Sequence, residues 1–342
     1  MDPRQNVSLA KHSTMGLGGP AAYLVEVTGR EGLKQALSWA KAKQLPSIMI
    51  GEGSNIVWGD DGYPGLVIVD KIRGYEVDEQ NATDVYLTLG GGEPWDDAVG
   101  RTVADGLTGI EALSLIPGTV GGTPVQNVGA YGQEISQTLV SVEAYDAQVD
   151  DFVKIAVSDC AFGYRTSRFK TTDHGRFYIT AITLHLTKGQ PKPPFYGSVQ
   201  KYFDEQAITD YTSAALRQAV IAIRKSKLPD PATVHNSGSF FSNPIVDNAK
   251  LAELTKRFEH IPRWPAKSGG VKLSGAWLVE HAGFKDYHDK ETGMATWPRQ
   301  PLVLVNERAK STANLLKFKQ KITEAVQSKF GITLEQEPEL LP

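Results

Sequence analysis

The stretch "NSGSFFSNP", residues 236–244, places a serine hydroxyl directly before two phenylalanines. Such a serine can cap a turn at the point where a strand enters the core. Buried aromatic neighbours can also hold the hydroxyl of Ser239 in one position, as a reaction that needs a proton donor requires. The local sequence leaves both interpretations open.

Two glycine-rich segments are candidates for binding a phosphate. "GEGSN", residues 51–55, follows a short apolar run, where glycine lets backbone N–H groups approach an anion. It lacks the third glycine and the helix start of the dinucleotide fingerprint, and alone it is more typical of a tight turn. "PGTVGGTPVQNVGAYG", residues 117–132, has five glycines between apolar flanks, which indicates a functional loop rather than disorder. Together the two loops predict a diphosphate cofactor that backbone amides hold.

The remaining reactive side chains predict neither a thiol nucleophile nor a metal centre. The single cysteine, Cys160, excludes an internal disulfide, fits a reducing compartment and has no histidine close to it in sequence. His281 and His288 lie near carboxylates but lack a third ligand at catalytic spacing. We therefore expect no metal.

Composition limits the class of protein. A net charge of −3 gives no basic surface for binding nucleic acid. The sequence also lacks a run of about 18 apolar residues, which a membrane-spanning helix would need. At 342 residues the chain is long enough for two or three domains. We expect a cytoplasmic monomer with neither a nucleic-acid nor a membrane partner.

The elements that must position these residues follow from hydrophobic periodicity. Helical spacing predicts helices in "EGLKQALSWAKAKQ", "PWDDAVGRTVADG", "SAALRQAVIAIRKSK", "GGVKLSGAWLVEHAGF" and "STANLLKFKQKITEAVQSKFG", the last with a Gly331 cap. Apolar runs predict strands in "LPSIMI", "LVIV", "DVYLTL", "SVEAYDAQ", "FYITAITLHLTK", "PLVLVN" and the final "ITLEQEPELLP". This mixture predicts a mixed α+β fold.

Six segments in chain order resemble one known family. They are "GEGSN", "IPGTVGGTPVQNVGAYG", "FGYRTSRFK", "KLPDP", "GSFFSNP" and "GGVKLSGAWLVE". The combination resembles the UDP-N-acetylenolpyruvoylglucosamine reductases, also called UDP-N-acetylmuramate dehydrogenases, over residues 12–337. The loop around Tyr196 is similar to that of the family's first type, which carries a tyrosine over the substrate.

The resemblance implies an FAD-binding domain pair of the vanillyl-alcohol-oxidase type and a smaller α+β substrate-binding domain. We expect FAD-binding subdomains at 1–73 and 74–227 and the substrate-binding domain at 228–330. The C-terminal strand, 331–342, can join the first subdomain. The resemblance also implies that FAD is bound non-covalently, that NADPH is the co-substrate and that a sugar nucleotide is the substrate, in the synthesis of peptidoglycan precursors. The resemblance further implies that hydride reaches the enolpyruvyl group through the flavin and that the adjacent carbon is then protonated.

The resemblance also implies site residues, matched position by position. The catalytic set is Ser239 as proton donor, Arg165 beside the substrate carboxylate, and Glu337. The cofactor set is Gly51, Gly53, Ser54, Asn55, Gly118, Gly121, Gly122, Thr123, Asn127, Gly129 and Arg224. The substrate set is Tyr131, Tyr164, Tyr196, Lys227, Asn243 and Gln300.

Several of these positions keep an alternative interpretation. Glu335 or Glu339 replaces Glu337 if the alignment slips by two residues, and strand alternation puts Glu335 and Glu337 on one face. The alternative for Arg165 is a surface arginine, and the nearby Arg168 is the candidate for that role. Lys227 and its basic neighbours also suit a solvated helix end. A small-alcohol or sugar oxidase on the same cofactor domain, and a flavin-binding module without catalysis, are the alternative functions.

Overall fold

The computed structural model describes residues 2–266 and 269–342. They form a mixed α+β fold, as the sequence predicts. The strands are β1 Arg4–Ser8, β2 Pro20–Val27, β3 Ser47–Ile50, β4 Ile56–Trp58, β5 Tyr63–Asp70, β6 Tyr75–Glu79, β7 Asp84–Gly90, β8 Leu107–Thr108, β9 Gly129–Ala130, β10 Gln133–Glu134, β11 Leu139–Asp146, β12 Asp151–Ala156, β13 Phe177–Lys188, β14 Asn236–Ser239, β15 Ile245–Val246, β16 Arg263–Pro265, β17 Val271–Leu273, β18 His288–Asp289, β19 Met294–Trp297, β20 Gln300–Asn306 and β21 Glu339–Leu341.

The α-helices are α1 Arg30–Ala42, α2 Trp95–Ala104, α3 Gly197–Glu205, α4 Ser213–Lys227, α5 Asn248–Thr255, α6 Gly275–Val279 and α7 Thr312–Phe330. Short 3-10 turns occur at Leu9–His12, Glu111–Leu113, Val120–Gly122, Ile135–Gln137 and Val157–Cys160, and a π-helical turn, Glu280–Phe284, continues α6. None of the helices within 2–266 and 269–342 combines the length and the apolar character needed to cross a bilayer.

Contacts divide the chain into two units. Unit 1 comprises residues 2–7, 21–52 and 64–226, and unit 2 comprises residues 8–20, 53–63 and 227–342. Each unit has its own buried apolar core. The predicted division into two FAD-binding subdomains and a substrate-binding domain stays a prediction.

Unit 1 contains two larger sheets. One has the order β1-β2-β5-β3, with β3 parallel to β5, and the other has the order β12-β11-β13-β7-β6, with β8 also paired to β13. Helix α1 buries Leu33, Ala36 and Ala40 against the first sheet, which satisfies its apolar stripe. Helix α2 buries Trp95 and Val99 in the core of the second.

Unit 2 is organised around helix α7 and a four-stranded sheet of order β14-β20-β19-β18. The apolar residues at helical spacing, Leu315, Phe318, Ile322 and Val326, are fully buried, and Gly331 ends the helix with a φ of 62°. Glycine adopts this left-handed conformation without strain, so the predicted cap is confirmed.

The predicted final strand is shorter than expected. Only Glu339–Leu341 forms a strand, β21, which pairs in parallel with β4. Residues 332–335 are outside any strand, and Gln336 makes a single bridge to Phe241. Pro338 lacks a backbone N–H, so a continuous ladder through this segment cannot form.

Candidate functional site

The loop at 117–132 folds onto its own backbone. The N–H groups of Val120, Gly121 and Gly122 donate to the carbonyls of Glu93, Gly91 and Thr119 at 2.9, 2.8 and 3.0 Å. These three amides are therefore occupied within the protein. Glycine at 121 is explained by close packing, because a Cβ would lie 3.2 Å from the Gly91 carbonyl oxygen. A Cβ at Gly122 would meet nothing within 4 Å, so this exposed glycine leaves its backbone open to approach.

The two glycine-rich loops predicted to act together contact each other within unit 1. A Cβ at Gly51 would overlap the Thr119 hydroxyl, and the Gly118 N–H donates to Glu52 Oε2 at 3.2 Å. The first loop follows the carboxyl end of β3, which is parallel to β5. Ligands of α/β sheets commonly bind at this end of parallel strands.

The second part of "GEGSN" belongs to unit 2. Gly53 has a φ of 72°, and a Cβ there would overlap the His12 carbonyl. Ser54 and Asn55 are partly buried, and the Asn55 carbonyl accepts the Glu339 N–H at 2.9 Å. Gly53 is thus required by both its backbone conformation and its close packing.

Arg165 occupies a tight turn that is joined to the glycine-rich loop. Gly163 and Thr166 bridge the turn, and Arg165 has a φ of 56° between them. Its Nη2 donates to the Gly129 carbonyl at 2.6 Å. The buried amide of Asn127 donates from Nδ2 to the Gly163 carbonyl at 3.0 Å. A strained, non-glycine conformation held by several bonds is common at functional sites.

The other predicted residues of this region have structural contacts of their own. Thr123 is buried and donates to the Val120 carbonyl at 2.7 Å. The guanidinium of Arg165 lies over the Tyr164 ring, with 5.5 Å between its Cζ and the ring centroid. Arg168 instead donates from Nε to Asp173 Oδ2 at 2.7 Å and from Nη1 to the Asp159 carbonyl at 3.0 Å, so it is paired and only partly exposed.

Tyr131, Tyr196 and Arg224 form a second cluster in unit 1. The rings of Tyr131 and Tyr196 meet edge to face with centroids 5.8 Å apart, and Tyr196 is 47 % exposed. Burial raises the pKa of Tyr131, and the neighbouring Arg224 opposes this. Tyr131 has a φ of 47°, a second strained residue of the site.

Arg224 provides a test of whether the site fits an FAD diphosphate. Its Nε donates to the Leu115 carbonyl at 3.2 Å, and its side chain also contacts the Tyr131 hydroxyl. Burial lowers the pKa of this guanidinium, with Tyr131 and Asp96 opposing the shift. Among the described residues it forms no ion pair within 4 Å. A desolvated cation of this kind is well suited to a phosphate group, so these residues fit the cofactor.

Sequence reasoning missed the residues that support this cluster. Arg217 donates to both oxygens of Asp96, and Asp96 Oδ1 accepts the Leu115 N–H at 2.5 Å. Leu115 has a φ of 58°, which a bulky residue rarely adopts. Asp96 lies in the first turn of α2, where an acidic residue needs no further explanation. No sequence spacing links it to Arg217, which lies 121 residues away.

Unit 2 brings Ser239 and Glu337 together through one residue. Phe240 donates its N–H to the Leu302 carbonyl at 2.7 Å and accepts the Glu337 N–H at 3.0 Å. Phe240 and Phe241 are fully buried, whereas Ser239 and Glu337 are partly buried. The backbone of Phe240 therefore follows Ser239 directly and binds the backbone of Glu337.

The alternative glutamates are placed differently. Glu335 is exposed, and its carbonyl accepts the Ser242 N–H at 3.0 Å. Because the segment is not a regular strand, alternation does not give Glu335 and Glu337 the same environment. Glu339 lies in β21, beside Ile56 of β4.

The remaining predicted substrate residues of unit 2 lie around the same sheet. Asn243 accepts the Gly275 N–H on Oδ1 at 2.9 Å and so helps to fix the start of α6. Gln300 begins β20, and its buried Oε1 has no hydrogen-bond partner among the described residues. Lys227 is exposed, and its carbonyl accepts Trp297 Nε1–H at 3.0 Å. Within 2–266 and 269–342, no group of three His, Cys, Asp or Glu residues could hold a metal ion.

Comparisons with known proteins match this organisation. An FAD binding domain family model matches residues 21–149, which makes the chain a flavoprotein. The model of the C-terminal domain of UDP-N-acetylenolpyruvoylglucosamine reductase matches residues 230–341.

Relatives match over almost their full length. The chain is 41 % identical to the UDP-N-acetylenolpyruvoylglucosamine reductase of Alcanivorax borkumensis, covering 96 % of this chain and 94 % of the relative. It is 40 % identical to that of Cupriavidus pinatubonensis, covering 97 % of each. The crystal structure of the reductase from Thermus caldophilus has the same fold, with a TM-score of 0.69 and 23 % identity over 100 % of both chains. The chain therefore belongs to the UDP-N-acetylenolpyruvoylglucosamine reductase family of FAD-dependent oxidoreductases.

Proposed function

We propose that this chain uses NADPH to reduce UDP-N-acetylglucosamine enolpyruvate to UDP-N-acetylmuramate, with Ser239 as the proton donor. Reduction of the enolpyruvyl sugar nucleotide for peptidoglycan synthesis is the activity of the family to which the chain belongs. Held by residues that include Arg224, FAD would supply hydride transfer from NADPH to the vinyl terminus of the substrate.

The observation that supports Ser239 most directly is its position beside the buried Phe240. Serine is a weak acid, so it can protonate a carbon only if that carbon is strongly basic and the hydroxyl is accurately placed. The hydrogen bonds of Phe240 to Leu302 and Glu337 fix the backbone directly after Ser239. We infer that Glu337, on the adjoining segment, assists this proton transfer.

Arg165 is proposed to stabilise negative charge on the substrate carboxylate. Addition of hydride pushes charge into that carboxylate, and a planar guanidinium can meet both of its oxygens. The bond from Nη2 to the Gly129 carbonyl holds the side chain in place before substrate binds. Preorganisation of this kind avoids reorientation during the reaction.

Diphosphate groups of the cofactor and of the sugar nucleotide require cationic partners. We propose Arg224 for the cofactor and Lys227 for the substrate, with Tyr131 and Tyr196 beside the sugar nucleotide. The support is the cation of Arg224 in partly buried surroundings and the exposed ammonium of Lys227 at the end of α4. The expected monomeric state and cytoplasmic location stay predictions.

Anaerobic stopped-flow absorbance of the flavin tests this proposal, because the two half-reactions can be followed separately. Ser239→Ala should still be bleached by NADPH at a normal rate. Reoxidation by the enolpyruvyl substrate should slow by about 10²- to 10⁴-fold, the usual contribution of a general acid. Ser242→Ala, three residues away, is the matched control and should keep both rates. Normal rates for Ser239→Ala in both half-reactions would exclude Ser239 as the proton donor.

A further inference from the structure

Strand β14 contains an irregularity immediately before Ser239. Asn236 pairs with Val305 and Ser239 pairs with Val303 of β20. The two paired positions are three residues apart on β14 but only two residues apart on β20. Strand β14 therefore contains one extra residue, which defines a β-bulge. Bulges commonly redirect a side chain next to an active site.

The bulge decides which face of the sheet Ser239 occupies. Val303 and Val305 are two residues apart and share one face, so their partners Asn236 and Ser239 share a face as well. In a regular strand, residues three apart lie on opposite faces. Without the extra residue, Ser239 would move to the other side of the sheet.

The two faces have different surroundings. Val303 and Val305 belong to a small apolar cluster that includes Ala295. Leu302 and Leu304, on the other face, belong to the large core of unit 2, together with Phe240. The bulge thus allows Phe240 to enter the large core while Ser239 stays partly accessible.

Asn236 closes this bulge with its side chain. Its Oδ1 accepts the Gly238 N–H at 2.9 Å, and its Nδ2 donates to the Val234 carbonyl at 2.7 Å. Gly238 has a φ of 70°, the left-handed conformation typical of the first residue of such a bulge. The backbone N–H of Asn236 is also bonded, to the Thr14 carbonyl at 3.0 Å. Asn236 is only 3 % exposed, so these bonds form away from solvent.

We propose that Asn236 is a positioning residue, which holds the Gly238 bulge and thereby turns the Ser239 hydroxyl toward the reacting carbon. This inference rests on the proposed function of Ser239. It adds that the geometry of the donor depends on an amide three residues earlier, in the same strand.

The first test is Asn236→Ala in the FAD-loaded enzyme, with both half-reactions followed by stopped flow. A misplaced donor should slow reoxidation by the enolpyruvyl substrate roughly 10- to 100-fold, while reduction by NADPH stays normal. The solvent deuterium isotope effect on reoxidation should rise, because proton transfer becomes slower. A purely structural role would lower thermal stability and change neither the ratio of the two rates nor the isotope effect.

A second pair of variants tests the same bulge from the backbone. A Cβ at Gly238 would meet no atom within 4 Å, so substitutions there act through the positive φ rather than through a clash. Gly238→Ala should reproduce the slow reoxidation, and Gly238→Asn should restore most of the rate, because Asn adopts positive φ more readily. Ser237→Ala removes a neighbouring hydroxyl that takes no part in these bonds, and it should change neither half-reaction.

The reference variant Ser239→Ala separates two kinds of failure. If Ser239→Ala retains normal reoxidation, the proposed function of Ser239 is wrong. If Ser239→Ala loses reoxidation while Asn236→Ala and Gly238→Ala retain it, only the positioning role of Asn236 is overturned. Slow reoxidation in all three variants, with recovery in Gly238→Asn, supports the inference.

Discussion

The guanidinium of Arg217 binds the carboxylate of Asp96 through two hydrogen bonds, Nη1 to Oδ1 at 2.6 Å and Nη2 to Oδ2 at 3.1 Å. The same carboxylate accepts the N–H of Leu115, whose φ of 58° is strained. The Leu115 carbonyl in turn accepts Arg224 Nε. One ion pair therefore supports the turn that holds a proposed cofactor residue.

Asp96→Asn and Asp96→Ala should differ because only Asn keeps an acceptor for the Leu115 N–H. We expect Asp96→Ala to lower the free energy of unfolding by about 1–3 kcal/mol, the cost of leaving partly buried groups unpaired. Asp96→Ala should also weaken FAD binding. Asp96→Asn should reduce both the free energy of unfolding and the affinity for FAD by less. Urea unfolding of the apoprotein and fluorescence titration with FAD measure the two effects.

The neighbouring Asp97 is exposed and provides the control. Asp97→Asn changes the same charge at the same helix start but leaves the Leu115 turn intact. If Asp97→Asn weakens FAD binding as much as Asp96→Ala does, the effect is one of overall charge, and the support role of Asp96 is excluded.

Asp70 should make unfolding dependent on pH. This carboxyl is 3 % exposed at the end of β5, and burial raises its pKa from 3.8 to about 7. Between these values the native state keeps a proton that the unfolded chain loses, so stability falls as pH rises. Asp70→Asn still offers an acceptor to the Ile72 N–H, which Asp70 Oδ1 accepts at 2.9 Å.

Differential scanning calorimetry at about pH 5 and about pH 8 tests whether stability falls as the pH rises. The unfolding temperature of the parent protein should fall more over this interval than that of Asp70→Asn, and the variant should be the more stable at the higher pH. The exposed Asp61, changed to Asn, provides the control. Equal slopes for the parent and Asp70→Asn would show that Asp70 titrates normally.

Arg165→Lys should separate charge from geometry. Lysine keeps the positive charge but lacks the planar fork, which bonds the Gly129 carbonyl and is proposed to bind the substrate carboxylate. We expect reoxidation by the enolpyruvyl substrate to slow more than reduction by NADPH. Arg168→Lys, which loosens the pair with Asp173, should lower thermal stability and slow neither step selectively. Equal losses in both half-reactions of Arg165→Lys would indicate a structural role.

Flavin released by acid precipitation distinguishes the proposed reductase from an oxidase with a covalently attached cofactor. Covalent attachment of this kind uses a His or Cys, and residues 117–132 contain neither. All of the flavin absorbance should therefore appear in the supernatant after precipitation. Flavin retained on the precipitated chain would contradict the non-covalent prediction.

Local pattern was sufficient for several regular elements, but the helix predicted over residues 269–284 begins only at Gly275, because Val271–Leu273 forms strand β17. Helix α4 begins and ends at the predicted residues, and α7 ends at the predicted glycine, because periodicity and caps are local properties. The final strand was predicted too long, since Pro338 interrupts a pattern that otherwise alternates. The register of β14 with β20 could not be predicted, although Asn236 and Gly238 are the residue types that such a bulge uses.

The site residues divide in the same way. Resemblance of short segments predicted Ser239 and Arg165, because each lies within a segment that resembles the family. The pair of Asp96 and Arg217 depends on a contact across 121 residues, and the strained Leu115 between them has no turn-forming side chain to indicate it. Contacts such as these depend on tertiary packing, and the local patterns of a single sequence carry no information about it.

The parallel pairing of β21 with β4 has a consequence for synthesis on the ribosome. Unit 2 draws on residues 8–20 and 53–63, but most of it is formed by residues after 227. The early segments emerge long before the residues with which they pair. A nascent chain stalled before residue 227 would therefore expose Val57 and Trp58, which the folded protein buries, and would be a substrate for chaperones.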